Sequence, residues 1–135
     1  MSKKTALIII FCILGSLLLF HFLIITQIIP YNQVWAGRLQ SVEQMRSFET
    51  FSILVNLFML TIFIIKYRQL ESGKSHIAVD ILIWVFFAFF LLNTLGNLFA
   101  KSIWELIFGT AFTLTSAILC FIIARRKKSR LNDID

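Results

Sequence analysis

Trp84-Val85-Phe86-Phe87-Ala88-Phe89-Phe90-Leu91-Leu92-Asn93-Thr94-Leu95-Gly96-Asn97-Leu98-Phe99-Ala100-Lys101 decides how this chain folds. Its first half is unbroken apolar bulk. Its second half repeats Asn93, Asn97 and Lys101 at intervals of four. On an α-helix each such step turns about 40°, so the three polar residues share one side. Leu91, Leu92, Leu95, Leu98 and Phe99 fill the opposite arc. Hydrocarbon offers a polar stripe no hydrogen-bond partners, so neighbouring helices must supply them.

The rest of the chain has the same character. Of 135 residues, 59% are hydrophobic and 15% charged, with fifteen Phe and one Pro; the mean hydropathy is +0.86. A water-soluble domain of this size could not hide that much apolar surface. Four runs are long enough to cross a hydrocarbon core of about 30 Å. They predict helices over about 6–29, 42–67, 76–100 and 103–124, followed by a basic tail over 125–135. The expected fold is all-α: a polytopic membrane protein, one antiparallel bundle of four transmembrane helices occupying residues 1–135. Lys3 and Lys4 before the first run resemble the start of a signal peptide. The run is about 24 residues long, however, and no small-residue cleavage site follows it, so an uncleaved anchor is expected.

Charge orients the bundle. Lys3, Lys4, Lys66, Arg68, Lys74, Arg125, Arg126, Lys127, Lys128 and Arg130 fall on one side, and Arg38, Arg46 and Lys101 on the other. With the rich side cytoplasmic, both termini are cytoplasmic in a bacterial-type inner membrane. Glu43, Glu49 and Glu105 neutralise the poor side, which leaves the formal net charge of +6 inside. The basic tail reads as a topology signal attracted to anionic lipid. Five basic residues without interleaved aromatics or a surrounding domain do not read as a nucleic-acid surface.

Local signals mark the connections. Pro30 ends the first helix, and Tyr31 and Trp35 of the Tyr31–Gln40 connector belong to an interfacial aromatic belt. Ser41-Val42-Glu43-Gln44 reads as a capping box opening the second helix. Ser72-Gly73 breaks the chain, Ser75 is the expected N-cap of the third helix, and Asp80 is expected to serve that helix terminus and a basic neighbour. Ser102-Ile103-Trp104-Glu105 reads as a second capping box, which makes helices three and four a tight hairpin.

One constellation stands out on the connector side: His21, Arg38, Arg46, Glu49, Asn56, Asn93, Asn97, Lys101 and Glu105. Glu49 and Asn56 are seven apart and align within about 20°. Glu49 has two candidate partners, Arg46 on its own helix and Lys101 across the bundle; in the second arrangement Asn56 bonds Asn93 or Asn97. His21 is expected to face other helices and hydrogen-bond rather than ligate. On helix four, Gly109, Thr113, Ser116 and Cys120 form a face of small and hydroxylic residues, suited to packing within the bundle or to a partner seam. Cys12, Gly15 and Ser16 make a smaller patch on helix one. Cys12 and Cys120 are expected to be reduced packing residues.

No nucleophile–base–acid set, phosphate loop or metal-ligand spacing occurs, so no catalytic residue, metal or cofactor is expected. The Arg/Glu region heading helix two superficially resembles the membrane glutathione transferases, but the Arg-His and Glu-Asn-Pro elements of that family are missing. The leading expectation is a non-enzymatic integral membrane protein that meets the lipid bilayer and a membrane-protein partner or a second copy of itself. The rival is a transporter or binding bundle with an outward-facing polar site between helices two and three. A lipid- or quinone-modifying enzyme comes third.

Overall fold

The computed structural model describes residues 1–100 and 102–125, with only the backbone of Ala36. Lys101 and the tail beyond Arg125 lie outside the described residues. Among the described residues the fold has four α-helices: α1 (Lys3–Ile25), α2 (Val42–Glu71), α3 (Ile77–Asn97) and α4 (Thr110–Ala124). A π-helical turn, Glu105–Gly109, leads into α4, and two short 3₁₀ turns, Tyr31–Gln33 and Trp35–Gly37, form the long connector. No strand occurs among the described residues. All four helices, α4 counted together with its π turn, are long and apolar enough to cross a membrane.

Side-chain chemistry explains most boundaries. Ser2 caps α1 by accepting from the Thr5 amide at 3.0 Å. At the far end α1 stops at Ile25, short of the expected 29. The Thr26 hydroxyl donates to the Phe22 carbonyl, and Gln27 adopts a left-handed φ of 62°. The Ile29 amide then folds back to the Leu23 carbonyl, which closes the helix as a glycine cap would.

The capping of α2 follows the expected box with one change of partner: the Gln44 amide donates to Ser41 Oγ at 3.1 Å, and Gln44 Oε1 reaches back to accept from the Gln40 amide, one residue before the N-cap, at 2.9 Å. Gly73, at φ 66°, turns the chain after α2. The N-cap of α3 is His76, not Ser75, and its side chain makes no capping bond. Ser75 Oγ is turned instead toward Asp80 Oδ2, at 3.4 Å. Ahead of α4, Ile103 and Trp104 are already helical after Ser102, and the ladder then widens into a π turn over Glu105–Gly109.

The bundle is two antiparallel hairpins, α1–α2 and α3–α4. The second is packed most extensively; α1 also lies along α4, and α2 touches α3 more sparingly. Phe63, Leu7, Ile10, Leu14, Ile83 and Ile123 fill the main core and are fully buried. A second apolar cluster sits under the connector, where Ile24, Val34, Leu39 and Met45 pack together. Outside, the bundle is apolar as well: Leu92 is 67% and Phe99 75% exposed. Such a sheath is far larger than the apolar patches of water-soluble proteins and suits a lipid environment.

Candidate functional site

At the connector end the polar centre is Glu49. It lies seven residues into α2, about 10 Å from the start of that helix, and is completely buried. Both of its oxygens are occupied. Trp35 Nε1 donates to Oε1 at 2.6 Å, and His21 Nδ1 meets Oε2 at 2.7 Å. With Glu49 as the carboxylate acceptor, the His21 proton facing it sits on Nδ1.

The connector makes this possible by folding back over the bundle. Trp35 takes a left-handed φ of 55° and stacks edge-on against Phe48, with centroids 5.0 Å apart. An L-residue in that conformation costs about 1–2 kcal/mol, which the indole hydrogen bond and ring contact offset. Trp35 was expected in an interfacial belt; its indole N–H points inward because Glu49, buried below it, needs a donor.

The other members of the expected cluster are dispersed. Arg38 and Arg46 are exposed, and Glu49 is bound to His21 and Trp35 rather than to Arg46. The expected Glu49–Lys101 pair falls on a residue outside the described ones. Asn93 Nδ2 donates to the Phe89 carbonyl of its own helix. Asn97 Nδ2 turns to Thr113 Oγ1 of α4, at 3.4 Å. Asn56 is buried on α2, and its Oδ1 has no hydrogen-bond partner. The expected Asn56–Asn93 or Asn56–Asn97 bond is therefore absent, because the outer half of α3 packs against α4 and not α2. Glu105 is half-buried in the π turn.

The small-residue face of α4 lies inside the bundle. Ser116 and Cys120 are fully buried. Thr113 Oγ1 accepts from Thr94 Oγ1 at 2.9 Å. Gly109 stands so close to Asn97 that an added Cβ would lie 2.9 Å from its side chain. Of the two uses open to this face, intramolecular packing is the one observed.

A second buried polar pair, not anticipated as such, lies at the end bearing Lys3 and Lys74. Lys66 Nζ donates to Asp80 Oδ1, and the two residues are 3% and 6% exposed. Lys66 stands in the sequence at the end of the expected second helix, among the cations assigned to the cytoplasmic side. It is drawn inward because α2 runs on to Glu71 and carries it along the face of α3. Its position was nonetheless discoverable: Lys66 and Asp80 stand seven residues either side of Gly73, so an antiparallel hairpin about that turn brings them level.

Among the described residues, no group of three or more His, Cys, Asp or Glu is placed to hold a metal ion. Chemically, the two buried sites can lock helices together and orient a proton, but neither combines a nucleophile with a base. Fold and sites together define a class: an all-helical bundle of four membrane-length helices with one buried polar clamp near each end. Compared with protein-family models, with curated proteins and with solved structures, the chain matches none.

Proposed function

We propose that the chain is a non-enzymatic, multi-pass protein of a bacterial-type inner membrane, with both termini cytoplasmic, acting as a small subunit or interaction partner in a membrane complex. The placement is supported by the apolar sheath and by the ends of the bundle. Lys3, Lys4, Lys66, Arg68, Lys74 and Arg125 gather at one end, as the positive-inside rule requires of a cytoplasmic face.

The observation that carries the partner role is on α1. Cys12, Gly15 and Ser16 lie on its outer face, all exposed, flanked by Ile8 and Leu19 at 54% and 63% exposure. Nothing lies within 4 Å of a Cβ placed on Gly15. Cys12 and Ser16 are four apart, a small-xxx-small pattern that lets a second helix approach closely in lipid. The corresponding face of α4 is closed within the bundle, so the α1 face is the one open to another protein. At the connector end Glu49, His21 and Trp35 bond one another, which gives the transporter reading less support there; Asn56 Oδ1 is the buried group of α2 left without a partner.

A photoreactive residue at position 12, compared with one at Leu92, tests the reading in intact membranes. The expected result is a discrete adduct from position 12 and none from Leu92, lost on Gly15→Leu without loss of thermal stability. Equal labelling from both positions, or from neither, would overturn it. The adduct mass separates a second copy from a different protein.

A further inference from the structure

His21 has a second ring nitrogen that the clamp leaves unused. Glu49 Oε2 engages Nδ1 at 2.7 Å. The other nitrogen, Nε2, makes no hydrogen bond among the described residues and is not a buried atom. Leu7, Ile10 and Leu14 lie within about 40° of His21 round α1, and all three are fully buried. That inward-facing stripe opens toward the connector end: Leu17 and Leu18 are half-buried, and the His21 side chain keeps 19% exposure. The ring is therefore reachable on the side of α1 that faces into the bundle, about 6 Å inside the end of the helix.

Chemistry sets what can bind there. A neutral imidazole with its proton on Nδ1 offers a lone pair at Nε2, so the ligand must donate. A phosphate or carboxylate would bring negative charge toward the buried Glu49. An ammonium would have to leave its water against Leu17 and Phe20. A hydroxyl meets neither obstacle, and a phenolic one, with a pKa of about 10, is a far stronger donor than an alcohol. Aromatic surface is at hand as well: the Phe20 ring lies 6.2 Å from that of His21 and is 41% exposed. A second aromatic ring pairs favourably with such a surface.

We propose that His21 Nε2 accepts the hydroxyl of a lipid-soluble phenol, a quinol with an apolar tail, its ring against Phe20. Glu49 is a positioning residue: it fixes the His21 tautomer through Nδ1 and touches no ligand. His21 lies nine residues past Cys12, about 180° round α1. The site is therefore separate from the face assigned to a partner and does not depend on it.

The full chain in detergent, kept anaerobic, is titrated with probes that share a decyl tail: a benzoquinol, its dimethyl ether, its oxidised benzoquinone, decanol and decylamine. The benzoquinol should bind about tenfold more tightly than the ether, which keeps ring and tail but donates nothing. Nitrogen-15 NMR of the unmutated chain should show His21 Nε2 shifting with the quinol and His76 unmoved. His21→Phe should weaken quinol binding about tenfold, and His76→Gln should leave it within about twofold. Glu49→Gln gives the sharpest readout. The Trp35 indole only donates, so the amide oxygen must face it and the amide N–H groups must face His21 Nδ1. The His21 proton then moves to Nε2, and the preference should invert, the benzoquinone carbonyl binding more tightly than the benzoquinol. A clamp with a structural role alone would weaken both probes alike. Equal binding of the ether, decanol or decylamine, or a quinol preference that survives Glu49→Gln, would overturn the proposal.

Discussion

Replacing Glu49 by Ala removes the acceptor of two hydrogen bonds at once. The side chain is fully buried, and the donors it serves, His21 and Trp35, come from α1 and from the connector. Each donor left unpaired costs about 1–3 kcal/mol. The His21 side chain keeps 19% exposure, so its share lies at the low end. With the lost packing, a total of about 3–5 kcal/mol is expected, the range for breaking a buried polar pair on one side. Glu49→Gln keeps the size and an acceptor for Trp35 and should cost about 1 kcal/mol. The triple change His21→Leu, Trp35→Phe, Glu49→Leu removes donors and acceptor together and should recover most of the loss. Unfolding titrated with SDS and followed by circular dichroism measures these differences. Hydrogen exchange over residues 31–40 should rise selectively in Glu49→Ala, because Trp35 no longer anchors the connector. If Glu49→Ala falls within 0.5 kcal/mol of the parent, or if His21→Ala and Glu49→Ala are strictly additive, the clamp contributes nothing to stability and the reasoning fails.

The Lys66–Asp80 pair should behave in the same way at the other end: Asp80→Ala alone costs about 3–5 kcal/mol, whereas Lys66→Met with Asp80→Leu lies much closer to the parent in the same SDS titration. Gly15 and Gly109 should respond with opposite signs. Gly15→Ala meets open space and should stabilise by about 0.5–1 kcal/mol through helix propensity. Gly109→Ala drives a methyl into Asn97, with an overpacking cost of about 1–3 kcal/mol that Asn97→Ala in the same chain should relieve; thermal unfolding of the three variants reads the contrast.

Sequence alone determined the class of fold, because four apolar runs of membrane length leave an all-helical chain little alternative. It also determined the start of α2, where Ser41 and Gln44 carry their capping chemistry locally. It singled out Glu49 and His21 as polar groups that need partners. The partners themselves were decided by tertiary structure. A helical stripe states which residues face inward but not which neighbour they meet, and the hairpins α1–α2 and α3–α4 pack more closely than α2 does with α3. Hence Asn97 found Thr113, and the small face of α4 closed inside the bundle.

Part of the pairing was nevertheless written in the spacing. His21 and Glu49 lie fourteen residues either side of Trp35, and Lys66 and Asp80 seven either side of Gly73, so reflection about each turn brings each pair level. What no spacing could show was the backbone at the turns. Gln27 and Trp35 adopt left-handed φ values that their residue types disfavour. The first ends α1 early, and the second, held by its indole bond to Glu49 and its contact with Phe48, brings a connector residue into the buried site. Local propensity argues against both, and they persist only because contacts distant in sequence outweigh it.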